Sequence, residues 1–299
     1  EGIDGLIIDL RNNGGGHLTE ATALSGLLID NGPVVQLRNS NGRISRLDDP
    51  DPVARVAYNG PLAVLVNRFS ASASEIFAAA IQDYARGVII GQETFGKGTV
   101  QNLYSLDQYL QPEGDRGFGQ LTVTIGKYYR VTGESTQHRG VNPDIGLPSP
   151  IDSEEIGESV RDSALPWDTI QTTRFRAGEP LDNTIHSLTV NHSERAKDDP
   201  NFQYLMQYIE DDRESRSQKT VSLNIEDRKA DREANRQRAL DLENQRRDAL
   251  SLEPIESLED LEDEDRPDVQ LDQAAGIVTD LAVLREIGGV PAQTAQVQP

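Results

Sequence analysis

The chain has 299 residues, 36% hydrophobic and 26% charged, enough to bury the core of one or two domains and too apolar for disorder throughout. Its 50 acidic residues against 29 Lys and Arg give a formal charge of -21, a repulsive surface for duplex nucleic acid, and the absence of cysteine excludes thiolate catalysis, thiol metal sites and disulfides. The charge divides unevenly: residues 1–150 hold 12 basic and 16 acidic side chains and residues 151–299 hold 17 and 34, so two differently built halves are expected.

The opening Glu1-Gly2-Ile3-Asp4 runs straight into an apolar stretch, the pattern of a domain interior, so a piece of a longer chain is expected. Residues 6–8 read as a buried strand, and 19–30 brings Ala21, Leu24, Leu27 and Leu28 round at helical spacing. Residues 34–37 and 44–47 flank a turn at 39–42, a hairpin, and 61–66 is another short strand. From Ser74 the period changes: Ile76, Phe77, Ala80, Ile81 and Tyr84 form the stripe of a helix packed on a core. Residues 88–91, 100–106, 121–125 and 128–131 supply further strands, so residues 1–150 are expected to be α/β.

Past Pro148 and Pro150 an acidic connector leads to Leu165-Pro166-Trp167, and a domain boundary is expected between 150 and 165. The second unit, 151–299, reads as acidic and mostly helical. Residues 202–209 and 272–287 have helical spacing, and 225–250 is charged on nearly every face, as a solvent-washed helix is. Residues 257–268 form an acidic run of the kind solvated linkers carry, and 288–299 is expected to fray. No apolar run approaches the roughly 20 residues a membrane-spanning helix needs.

The chemistry begins at Ser70-Ala71-Ser72-Ala73-Ser74-Glu75, between a strand and a helix start. Such a turn can present a hydroxyl, and the helix start aims free N–H groups at one point, which suits an oxyanion in acyl transfer. Ser72 and Glu75 also have the spacing of a capping box, a purely structural role. A serine needs a base, drawn from His17, His138, His186, His192 or a neutral lysine. The chain uses 24 arginines and five lysines, and Lys97 is the sole lysine of the first 126 residues. Arginine cannot lose its proton whereas a buried lysine can, so Lys97 is a candidate base, and a solvated loop lysine or an anion binder is the alternative. Gly14-Gly15-Gly16, after Asp9-Leu10-Arg11-Asn12-Asn13, lets a backbone approach a ligand closely and also suits a simple turn. Gln101, four residues past Lys97, carries an amide able to orient an amine.

Taken in order, Asp9 to Gly16, Asn67 to Glu75 and Thr94 to Gln101 resemble the tail-specific, or C-terminal processing, serine protease family. Gly140-Val141-Asn142-Pro143-Asp144-Ile145 resembles its closing core motif, and 161–299 the helical C-terminal region of its long bacterial periplasmic members. The resemblance implies a mixed α/β core of crotonase-like or ClpP-like type followed by helices. It implies Ser72 as nucleophile, Lys97 as general base and Gln101 as the residue positioning the amine, with N–H groups of Ala73 and of Gly15 or Gly16 as oxyanion hole. Metal and cofactor are not required by that chemistry. It further implies protein substrates entered from their C-terminal tails, an adaptor protein as possible partner, and a location in the periplasm or at the inner-membrane face. Gly14 stands where many relatives have Pro. The family's N-terminal region and substrate-gating PDZ domain have no counterpart in these residues, so weak or unregulated cleavage is expected of this piece alone. Two other readings stay open: a scaffold that keeps the protease fold and docks partners on its acidic helices, and a Ser/His hydrolase, which requires His17 or His138 beside Ser72.

Overall fold

The computed structural model describes residues 2–50, 56–110, 117–261 and 266–287. In chain order its main elements are β1 (Leu6–Asp9), α1 (Leu18–Gly26), β2 (Pro33–Asn39), β3 (Ile44–Asp48), β4 (Leu62–Val66), α2 (Ala73–Asp83), β5 (Val88–Gly91), β6 (Thr99–Ser105), β7 (Gln120–Tyr129), β8 (Ile145–Gly146), α3 (Asp182–Lys197), α4 (Pro200–Ser217), α5 (Ile225–Ala249) and α6 (Val269–Ile287). Strands β1, β4, β5 and β8 form a parallel sheet in that order, and β3, β2, β7 and β6 an antiparallel one. This is the mixed α/β architecture with a helical C-terminal region that the sequence implied.

Strand β4 reads Leu-Ala-Val-Leu-Val and is buried at every position, as a strand covered on both faces must be. Leu62, Val64 and Val66 join Ile89 and the apolar residues of α1 and α2 in one core, whereas Ala63 and Leu65 join Val88, Ile90 and Ile145 against Leu188 of α3 and Ala274, Ile277, Val278 and Leu281 of α6. Fully burying a side chain of this size contributes about 1.5–3 kcal/mol. The last helix therefore closes the second face of the parallel sheet. Between the sheets and these helices, residues 150–180 run as a strap along the core. The Asp168 carboxylate accepts from Arg38 at 2.5 Å, from Tyr129 at 3.0 Å and from Lys127. Further on, the Phe175 ring packs 5.3 Å from that of Tyr84.

Three expectations need correction. The helix predicted over 19–30 ends at Gly26, where the N–H groups of Leu28 and Ile29 both turn back to the Ser25 carbonyl so that these two side chains reach the core. Residues 121–125 and 128–131 are not two strands: β7 runs unbroken from Gln120 to Tyr129, because pairing with β6 along its first part and β2 along its last carries it through Gly126. Helix α3 falls in the unit expected to be mostly helical but is missing from the helices placed by spacing there; its polar sequence buries only Leu188, His192 and Ala196, a one-residue-wide stripe at i, i+4 and i+8. The hairpin of β2 and β3, helix α2 and the long charged helix α5 fall where the periodicity placed them. The acidic run at 257–268 is described except at 262–265, and the fraying expected of 288–299 lies outside the described residues. Among the described residues no helix is long and apolar enough to cross a membrane.

Candidate active site

Three segments far apart in sequence meet at the C-terminal ends of β1, β4 and β5, where parallel sheets of helix-connected strands place their ligands. The first is the glycine loop after β1, the second the serine turn between β4 and α2, and the third the loop between β5 and β6 that carries Lys97.

Within the serine turn the three hydroxyls have different fates. Ser70 is fully buried and donates to the Leu10 carbonyl at 2.7 Å; Ser74 donates to the carbonyl and side-chain oxygens of Asn13 at 3.1 and 3.0 Å. Both tie the turn to the glycine loop. The Ser72 hydroxyl donates no hydrogen bond among the described residues, and its backbone stands at φ 57°, ψ -112° at the head of α2. A non-glycine residue held there stores of order 1–3 kcal/mol of strain, and such strain concentrates at functional sites.

The strain is held by Glu75. The capping box of Ser72 and Glu75 forms, so the structural role is real. It does not exhaust Glu75, which is completely buried and accepts from four donors. Its Oε1 takes the Thr94 hydroxyl at 2.6 Å and the Gly96 N–H at 2.7 Å. Its Oε2 takes the N–H groups of Ser72 at 2.7 Å and Lys97 at 3.0 Å, and the Tyr128 hydroxyl lies 3.4 Å from it. One oxygen thus binds the main chains of Ser72 and Lys97 together, which confines the separation of their N–H groups to at most the sum of two hydrogen bonds. Burial pushes the Glu75 carboxyl up to about 7, against the pull of the Thr94, Gly96, Ser72 and Lys97 donors.

The Lys97 side chain is half-buried, and its amine donates to Gln101 Oε1 at 3.2 Å. Gln101 lies on the exposed strand β6, just past an irregularity between Val100 and Gln101 that re-aims its side chain. No hydrogen bond joins the Lys97 amine to the Ser72 hydroxyl in this state. The Tyr128 hydroxyl, buried beneath them, reaches the carbonyls of Lys97 and Ser72.

Gly15 presses on the serine turn. With φ 94°, its α-carbon could carry a side chain only by placing a Cβ 2.6 Å from the Ala71 carbonyl oxygen and 2.7 Å from the Ala73 nitrogen. Glycine is required there. The Gly15 N–H is already bonded to Asn13 Oδ1 at 3.0 Å, whereas a Cβ on Gly16 would meet open space. Ala73 opens α2, so its N–H is one of the helix-start donors left without an intrahelical partner. The loop is braced by a reciprocal pair: the Asn12 N–H donates to Asn67 Oδ1 and Asn67 Nδ2 to Asn12 Oδ1, both at 3.0 Å. Arg11 leaves the site altogether, gripping Asp9 and Asp268 and so docking the start of α6.

The histidines stand apart. His17 is exposed at the head of α1; the His138 N–H binds the Gly96 carbonyl at 2.8 Å; His186 and His192 belong to α3. Neither His17 nor His138 hydrogen-bonds Ser72. The sequence reading brought Ser72, Ala73, Gly15, Gly16, Lys97 and Gln101 to attention and missed Glu75 as a bridge, Tyr128 and the Asn12–Asn67 pair. The capping-box spacing was the one available signal for Glu75.

Comparison with known proteins matches residues 1–147 to peptidase family S41 and residues 151–283 to the C-terminal domain of tail specific protease. Over 284 residues, 94% of this chain, it is 44% identical to the tail-specific protease of Haemophilus influenzae. Residues 1–147 belong to peptidase family S41. Further S41-region similarity runs to the chloroplastic C-terminal processing peptidase of Tetradesmus obliquus, 36% identical over 56% of this chain, and to the carboxy-terminal-processing protease of Bartonella bacilliformis, 35% identical over 53%. The chain spans 40% of the length of the Haemophilus protein and 34% of each of the other two.

Proposed function

We propose that the intact protein is a serine endopeptidase that degrades or processes proteins from their C-terminal tails. Lys97, neutral when it acts, takes the Ser72 hydroxyl proton, and Ser72 Oγ bonds to the scissile carbonyl carbon. The N–H groups of Ala73 and Gly16 receive the oxyanion, Gly15 being occupied by Asn13. The Lys97 ammonium returns the proton to the leaving amine as the C–N bond breaks. Water then loses a proton to the same amine and attacks the acyl ester, freeing Ser72. Gln101 steadies the amine between these steps.

The observation that carries this reading is Glu75 Oε2 bound to the main chains of Ser72 and Lys97 at once, beside a serine whose hydroxyl proton is uncommitted. The four-carbon stem of Lys97 lets its amine move from Gln101 to Ser72. Following the family, the substrates are proteins with accessible tails and the place of action is the periplasm or the inner-membrane face, with an adaptor as partner.

The test uses the full-length protein and a substrate with an unstructured C-terminal tail. Ser72→Ala and Lys97→Ala should each abolish cleavage. Lys97→Arg should be equally inactive, because it keeps the charge and cannot release a proton. Undiminished turnover in either alanine variant overturns the assignment and leaves the scaffold role.

A further inference from the structure

The loop that carries Lys97 is gripped from two sides. Glu75 holds the side facing Ser72. The opposite side is held by residues 151–161, the acidic connector that opens the second matched family region and reads in the sequence as a connector between two units.

The grip is centred on Arg68, whose side chain is only 2% exposed. Its Nη1 donates to Glu93 Oε1 at 2.6 Å and to the Thr94 carbonyl at 2.5 Å; its Nε donates to the Ile156 carbonyl at 2.5 Å and its Nη2 to the Ser153 carbonyl at 3.1 Å. One planar guanidinium thus ties the serine turn, the lysine loop and the connector together, a fan of directions that an ammonium cannot reproduce. Gly157 lies flat against it: at φ 144°, a Cβ there would stand 2.3 Å from Arg68 Nη2. Glu158 adds two contacts. Its N–H donates to the Phe95 carbonyl at 2.9 Å, and its Oε1 accepts from Gln137 Nε2 at 3.4 Å, while Gln137 Oε1 takes the Gly98 N–H at 2.8 Å. Gln137 is fully buried and Glu158 6% exposed. Gln92 Nε2 bonds the Ile151 carbonyl at 2.7 Å, and the Arg161 guanidinium lies 5.3 Å from the centre of the Phe95 ring. The lysine loop is bonded to the connector directly at Gln92 and Phe95, through Arg68 at Thr94 and through Gln137 at Gly98.

We propose that residues 151–161 are a positioning element of the dyad, with Arg68 and Glu158 as positioning residues that hold the Lys97 loop at the height from which its amine serves Ser72. The proposal rests on the Ser72 and Lys97 reading above. Neither residue touches substrate. Their effect falls on the placement of the base, where a displacement of about 1 Å can cost about a hundredfold in rate. It follows that the C-terminal region takes part in the cleavage step through its first eleven residues.

The experiment compares Glu158→Ala, Glu158→Gln, Gly157→Ala and Arg68→Lys in the full-length protein, in steady-state cleavage of the tail substrate and in hydrogen exchange of the peptide covering 93–101. Glu158→Ala and Gly157→Ala should lower kcat about tenfold with KM within about twofold, and Glu158→Gln, which can still accept from Gln137, should recover to within about threefold of wild type. Arg68→Lys should lose about a hundredfold in kcat. The Gly96 to Gly98 amides should exchange about tenfold faster in Glu158→Ala while those of α6 keep their rates. Wild-type kcat together with wild-type exchange in Glu158→Ala and Gly157→Ala overturns the proposal, as does a loss confined to KM. If Arg68→Lys fails to fold, the Glu158 pair and Gly157→Ala decide. Ser72→Ala runs alongside: cleavage that survives it refutes the peptidase reading, and the exchange result then still stands or falls by itself.

Discussion

Glu75→Gln tests how a buried carboxylate can organise two other residues. In the folded chain its pKa is raised from 4.5 to about 7, chiefly by desolvation. A carboxyl group raised on folding binds protons more tightly in the native state, so its contribution is fully present below about pH 4.5 and is lost as pH rises through about 7. The shift corresponds to about 3 kcal/mol. Glutamine cannot ionise and escapes that loss. It has its own cost, because an amide nitrogen faces either the Gly96 N–H or the pair from Ser72 and Lys97, and one buried N–H left unserved costs about 1–3 kcal/mol at every pH. The difference in unfolding free energy, wild type minus variant, should therefore fall by about 3 kcal/mol between pH 4.5 and 8. Urea unfolding at a series of pH values measures it. Cleavage should move the other way: wild-type kcat should rise through about pH 7 as the carboxylate forms and draws its donors in, and Glu75→Gln should lack that limb and lie about 10- to 100-fold lower. A stability difference that stays level across this range would refute the reasoning.

Gly15→Ala should reduce kcat by about a hundredfold and destabilise by about 1–3 kcal/mol, since the new methyl group meets the Ala71 carbonyl and Ala73 nitrogen at a positive φ; thermal unfolding and steady-state kinetics separate the two effects. Ile277→Ala, fully buried in α6 against the parallel sheet, should cost about 2–5 kcal/mol, read as a lower urea midpoint at unchanged slope. Arg11→Ala should cost about 1 kcal/mol, because the Asp268 partner is about half exposed and the pair is screened by solvent, and the loss should shrink in high salt.

Much of this architecture can be read from local pattern, because the period of apolar residues reports which face of an element is covered. The all-apolar run at 62–66 and the stripe from Ile76 to Tyr84 have one physical solution each. The stripe of α3 is too narrow to stand out, and β7 reads as two pieces because its continuity comes from two neighbouring strands. At the site, Ser72 and Lys97 stand out by composition and context, but Glu75 looks like a helix cap, and its link to Lys97 depends on a loop that folds back across 22 residues. Asn12 and Asn67, 55 positions apart, leave no local trace of their pairing. The connector is the sharpest case: charge and proline mark it as linker, and only the buried guanidinium of Arg68 shows it bonded to the loop that carries Lys97.

The cover supplied by α6 also imposes a schedule. Strand β4 leaves the ribosome about 200 residues, and β1 about 260, before the helix that hides their second face, which at 5–20 residues per second is an interval of roughly 10–50 s. During that time the nascent sheet shows water a bare aliphatic surface and its fold cannot tighten. The serine turn and glycine loop at the strand tips thus gain their final rigidity only once α6 has docked on the sheet beneath them.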